Sequence, residues 1–146
     1  MLEAMQFVAV LSCALFAGAA IYINLVEHPA RMGCGTELAL TEWAPSYKRA
    51  TGMQVPLAVV STVAGVVSWF LTGDLLWLLG ALLIFAVIPF TLLVIMPTNK
   101  ILLDPGTNKI SPTTHALLEK WGALHGVRSI LSLMASSLFL LLLLRS

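Results

Sequence analysis

Residues 5–26, MQFVAVLSCALFAGAAIYINLV, run the width of a bilayer without one charged side chain. Residues 75–97, LLWLLGALLIFAVIPFTLLVIMP, do the same, and a softer uncharged run covers 50–72. A fourth, 121–144, is broken only by Arg128. About 20 helical residues cross the hydrocarbon core. Lipid offers no partner for backbone N–H and C=O groups, so each run must satisfy them internally as a helix. Barrel strands would alternate polar and apolar residues, and these runs do not. The chain therefore reads as all-α, a single integral membrane four-helix bundle over 1–146, with spans at 5–26, 50–72, 75–97 and 121–144.

Composition agrees. Charged residues make up 10% of the chain, against roughly a quarter in soluble domains. A net charge of +1 with no basic stripe gives nucleic acid nothing to bind. The start, MLEAMQ, carries Glu3 and no Lys or Arg, unlike the basic opening of a cleaved signal. Cys13 and Cys34 are too far apart along a helix to bridge, and both read as small packing residues.

Four spans put both termini on one side. Arg31, Lys48, Arg49, Lys100, Lys109 and Lys120 all fall in the connections 27–49 and 98–120, on the other side. The positive-inside rule assigns those two loops to the cytoplasm. Thr36 or Thr41 is expected to cap the helix entering span two, and Ser111, Thr113 or Thr114 the helix entering span four.

The polar residues fall on shared faces at that end. In NLVEHPAR, Asn24, Glu27, His28 and Arg31 follow i, i+3, i+4, i+7, with Pro29 as a source of kinking. In WGALHGVRS, Trp121, His125 and Arg128 follow i, i+4, i+7, and Ser132 continues inward. Tyr47, Thr51, Gln54 and Ser61 share a face of span two, and Asn99 closes span three at the same level. Polar groups at membrane depth turn toward the bundle interior or a wet cavity. One polar pocket at the cytoplasmic end, lined by all four helices, is the economical arrangement. Trp43, Lys48, Arg49 and Lys120 read instead as interfacial anchors, and Glu27 or Glu119 as ion-pair partners of Arg31 or Arg128.

In such a pocket His28 or His125 would abstract an acidic proton while Arg128 stabilises the oxyanion formed. Asn24, Tyr47, Gln54, Asn99 and Trp121 would bind substrate, the indole by stacking on an aromatic ring. The alternative for the two imidazoles is a non-haem metal at His28 and His125, but no HxxxH or ExxH pair stands on one helix. No metal and no cofactor are expected. Walker, Rossmann and CxxC patterns are absent.

With "NLVEHPAR", "WAPSYKRATGMQVP", "MPTNKIL" and "LLEKWGALHGVRSILS" laid out, the chain resembles the anthrone-oxygenase-like family of small four-helix membrane proteins. That resemblance implies an oxygenase or related redox enzyme acting on a flat anthrone- or quinone-like aromatic without a tightly held cofactor, with His28, Asn99, Trp121, His125 and Arg128 as its site residues. The competing reading is a non-catalytic membrane protein whose basic loops bind lipid headgroups or a partner subunit. Small residues at Gly18, Ala19, Ala20 and Gly65 permit close helix packing, within the chain or in a homo-oligomer.

Overall fold

A computed structural model describes residues 1–145. Among them there is no strand. Four helices are long and apolar enough to cross a membrane: α1 (Leu2–Gly33), α2 (Thr36–Thr72), α3 (Leu75–Leu103) and α4 (Pro112–Leu143). The chain is a multi-pass membrane protein, and the four expected spans are all present.

The helices are longer than those spans. At about 1.5 Å per residue, the 32 residues of α1 and of α4 outreach a hydrocarbon core of about 30 Å. The connections 27–49 and 98–120 are mostly helix, including the helices expected to enter spans two and four, and the non-helical connectors shrink to Cys34–Gly35 and Asp104–Ser111. The cause is packing beyond the apolar runs. Ala39, Leu40 and Trp43 of α2 bury against Leu102 of α3 and Leu118 and Trp121 of α4, so these ends have a core of their own.

The caps follow suit. Ser111 caps α4, its side chain accepting from the Thr114 N–H. Neither expected threonine caps α2. Gly35, at φ 90°, turns the chain and α2 begins at Thr36 itself. A residue with a Cβ is strained at that φ. At the opposite end Gly73, at φ 72°, closes α2, and the Asp74 carboxylate accepts from the Leu76 N–H to start α3. This tight hairpin holds α2 and α3 together over their apolar halves. There Phe139 of α4 fills the space left by Gly65 and Gly80; a Cβ on Gly65 would lie 2.8 Å from the Phe139 ring.

Two helices contain a wider turn. Ile23–Glu27 in α1 and Thr91–Ile95 in α3 are π-helical. Each turn is followed by one residue and then a proline, Pro29 or Pro97. Proline lacks the N–H that would bond four residues back, and its ring crowds that carbonyl, here Leu25 or Leu93 inside the π turn. Widening the preceding turn relieves both conflicts. Pro45 and Pro56 of α2 sit in regular α-helix, so the proline alone does not dictate the result.

Candidate functional site

The π turn of α1 carries Asn24, and this side chain organises the polar end. Its amide N–H donates to the Gly122 carbonyl of α4 at 2.9 Å. Only the NH₂ can approach a carbonyl, so the amide oxygen must face the other way. There it accepts from His125 Nδ1 at 2.7 Å and from the Ser129 hydroxyl at 2.6 Å. An amide oxygen cannot donate, so the hydrogen sits on Nδ1 of His125 and the lone pair on Nε2.

His125 and Arg128 line one small cavity with Gln54, Tyr47, Thr51, Arg31 and Trp121. The Arg128 guanidinium donates to Gln54 Oε1 at 2.7 Å and lies 5.4 Å from the centre of the Phe16 ring. It is 8% exposed, so it turns inward rather than toward lipid. Among the described residues no carboxylate pairs with it. Its Nε and the Nε2 of Gln54 are buried without a partner. Buried polar atoms are nearly always satisfied, so these two donors are exceptions, and both belong to residues that line the same small cavity.

The second arginine has another fate, although His28/Arg31 and His125/Arg128 share one spacing. Arg31 bonds Glu27 one turn back on α1, reaches Glu42 of α2 at 2.7 Å and donates to the Ser46 hydroxyl at 3.2 Å. It is neutralised, and it ties α1 to α2. Glu119, the other expected ion-pair residue, meets His115 at 3.5 Å.

Both expected catalytic histidines pack on the Trp121 indole, His28 at 5.1 Å and His125 at 4.9 Å between centroids. They are thus far closer than the roughly 15 Å that would separate them into two sites. They do not play equal parts. His28 Nε2 donates to the Leu118 carbonyl at 3.0 Å, and its Nδ1 is buried without a partner. His28 lies outside both cavities at Arg128. Its closeness to α4 depends on Gly122, where a Cβ would sit 2.6 Å from the imidazole.

Asn99 is fully buried with its whole amide unpartnered, and it too lies outside those two cavities. Trp43 was expected at the interface and is instead wholly buried, stacked on Tyr47 at 5.1 Å and edge-on to Trp121 at 5.6 Å. A helix that continues past the membrane surface carries its anchor positions into the bundle. Lys48, Arg49 and Lys120 are exposed, as anchors would be. Cys34 is exposed on its connector rather than a packing residue, its thiol donating to the Ala30 carbonyl, whereas Cys13 is buried as expected. Gln6 and Ser68 are buried nearer the other end, so polar burial is less one-sided than the sequence implied. Among the described residues no group of three or more His, Cys, Asp and Glu side chains converges to hold a metal ion.

The larger cavity, about 90 Å³, is walled by Tyr47, Thr51, Val55 and Ala58 of α2 and by Val87, Ile88, Thr91, Leu92 and Met96 of α3. Phe16 and Arg128 form its floor. Tyr47, Thr51 and Arg128 belong to both cavities, the second of which is only about 10 Å³. Sequence reasoning missed Phe16, Val55, Thr91 and Leu92, which carry no chemical signal in an apolar run. Asn24, expected to bind substrate, bonds His125 and Ser129 and lies outside both cavities at Arg128.

A histidine with a committed tautomer and a guanidinium without a carboxylate partner line one cavity inside a bundle of four apolar helices, and the class these features define is a helical membrane protein with a buried polar site. The chain belongs to the anthrone oxygenase family, whose model matches residues 43–138. That stretch includes Tyr47, Gln54, Trp121, His125 and Arg128, and leaves Asn24 and His28 outside it. No curated protein and no solved structure matches the chain.

Proposed function

We propose that this protein oxygenates an anthrone-like aromatic inside the membrane, using His125 as base and Arg128 with Gln54 as the oxyanion site. The observation that carries the reading is the buried Arg128 guanidinium, which has no carboxylate and an unpartnered Nε, next to His125 with Nδ1 committed to Asn24. His125 Nε2 takes a proton from the CH₂ flanked by the two rings, and the electron pair moves onto the carbonyl oxygen, which becomes an enolate held by Arg128. A low-dielectric site makes that stabilisation large.

The electron-rich carbon then reduces dioxygen and forms a C–O bond, and the His125 imidazolium returns its proton to give a hydroperoxide. Removal of the second hydrogen from that carbon as a proton expels hydroxide and leaves the new C=O. The balance is anthrone plus O₂ to anthraquinone plus water. Trp121 packs against both imidazoles and lines the smaller cavity, so it holds His125 in place beside the reacting carbon. The connectors at the polar end lie on the cytoplasmic side in this reading, as their lysines and arginines favour.

Oxygen consumption by the purified protein in lipid vesicles, with anthrone as substrate, tests the reading. His125→Ala should lower turnover about 10²–10⁴-fold, the usual contribution of a positioned base, and Arg128→Met by a similar factor. Equal oxygen uptake in wild type and both variants would overturn it.

A further inference from the structure

We propose that the site is entered from the bilayer, through a slot between α2 and α3 whose gate is Leu92 opposite Val55. The ligand class is a planar, uncharged molecule dissolved in lipid and carrying one oxygen that reaches Arg128. The rim residues Val55 and Leu92 are 46% and 57% exposed, whereas Ala58, Val87, Phe16 and Arg128 on the walls and floor are buried. The slot therefore runs from an open apolar edge to a buried cation. Its rim lies inside the apolar runs 50–72 and 75–97, so the mouth faces lipid and not water.

The helices supply the reason for the opening. α2 and α3 pack together near the Gly73–Asp74 hairpin and diverge beyond it. The π turn Thr91–Ile95 lies where they diverge, and Thr91 and Leu92 of that turn line the slot. A π turn has one more residue per hydrogen-bonded ring than an α turn and often marks a functional position. At about 90 Å³ the slot is below the roughly 300 Å³ at which ligand pockets begin. An occupant must part α2 from α3 or leave its trailing rings at the lipid edge, and a lateral slot allows either.

The inference rests on the proposed function only for the identity of the occupant, and thiol labelling tests it without turnover. The full chain, with Cys13→Ala, Cys34→Ser and Ala58→Cys, is reconstituted in phosphatidylcholine vesicles and treated with the lipid-soluble planar reagent N-(1-pyrenyl)maleimide. The Leu92→Trp plug should slow labelling at position 58 by about tenfold or more, since thiol reactions follow access. Val55→Trp, from the opposite wall, should do the same. Leu133→Trp, on the α1–α4 side, should leave the rate unchanged, and circular dichroism confirms that each variant is folded. Unchanged labelling in both folded plugs, or labelling by the charged reagent sulfonatoethyl methanethiosulfonate from water that neither plug slows, would overturn the slot. Absence of anthrone oxidation by the unplugged wild-type chain, with labelling that behaves as expected, would instead defeat the proposed function alone.

Discussion

Asn24 shows how one side chain can decide what its neighbours do. Its amide spans Gly122, His125 and Ser129, so it selects the ring nitrogen that His125 presents. Asn24→Ala should leave His125 free to choose its tautomer and lower kcat roughly 10–10²-fold, short of the loss on removing the base itself. KM should change little, because Asn24 lies outside both Arg128 cavities. Steady-state kinetics separate the two constants, and a KM effect without a kcat effect would return Asn24 to substrate binding. At Gly122 a substitution acts through space, because the carbonyl that accepts from Asn24 remains. In Gly122→Ala the new methyl would meet His28 at 2.6–2.7 Å, closer than real contacts allow. The imidazole must leave the Leu118 carbonyl, and the cost is about 1–3 kcal/mol, as for other overpacked interiors. Thermal unfolding in detergent checks this, and an unchanged midpoint would show that His28 shifts freely.

At the scale of elements, the two π turns connect backbone strain to the site. The turn in α1 presents Asn24 to α4, and the turn in α3 lines the slot. Pro29→Ala would restore the N–H that bonds toward Leu25 and let an ordinary α turn replace the π turn. The helix should lose nothing in stability and could gain up to about 3 kcal/mol, the cost of an interior proline. Turnover should nevertheless fall, because Asn24 rotates away from His125. A variant both stable and fully active would show that the π turn has no part in positioning. The sequence carried a hint in its two prolines, but Pro45 and Pro56 sit in unbroken helix, so the motif was not sufficient. Element ends were legible only in part. Apolar runs marked where lipid lies, and the helices continued beyond it because Trp43, Leu102 and Leu118 pack there.

Across the whole molecule, the two arginines divide stability from chemistry. Arg31 bridges α1 and α2 through Glu27, Glu42 and Ser46. Arg31→Met should destabilise the bundle by roughly 1–3 kcal/mol, the cost of stranding its partners, discounted because Glu42 is half exposed. Arg31 also lines the small cavity, but its charge is already met by Glu27 and Glu42, so turnover per folded molecule should fall far less than in Arg128→Met. Arg128→Met should do the reverse. Removing a buried charge that lacks a counter-ion relieves its desolvation, so stability should hold or rise while turnover is lost. Unfolding midpoints and activities measured on the same two preparations give the comparison. Loss of stability without loss of activity in Arg128→Met would make that guanidinium structural.

The sequence alone determined the number of spans, the helical class and the face on which His125, Arg128, Trp121, Tyr47 and Gln54 would meet. Those follow from local rules: the backbone must be satisfied in lipid, and polar groups at depth turn inward. Which arginine is neutralised and which is free was settled only by tertiary structure. Spacing along a helix is the same for both, and the partners Glu42 and Gln54 lie on another helix. The same holds for the burial of Trp43 and for the role of Asn24, which acts on a residue 101 positions away. The slot between α2 and α3 is likewise tertiary, because a gap between helices has no letter in the sequence and exists only where two surfaces fail to meet.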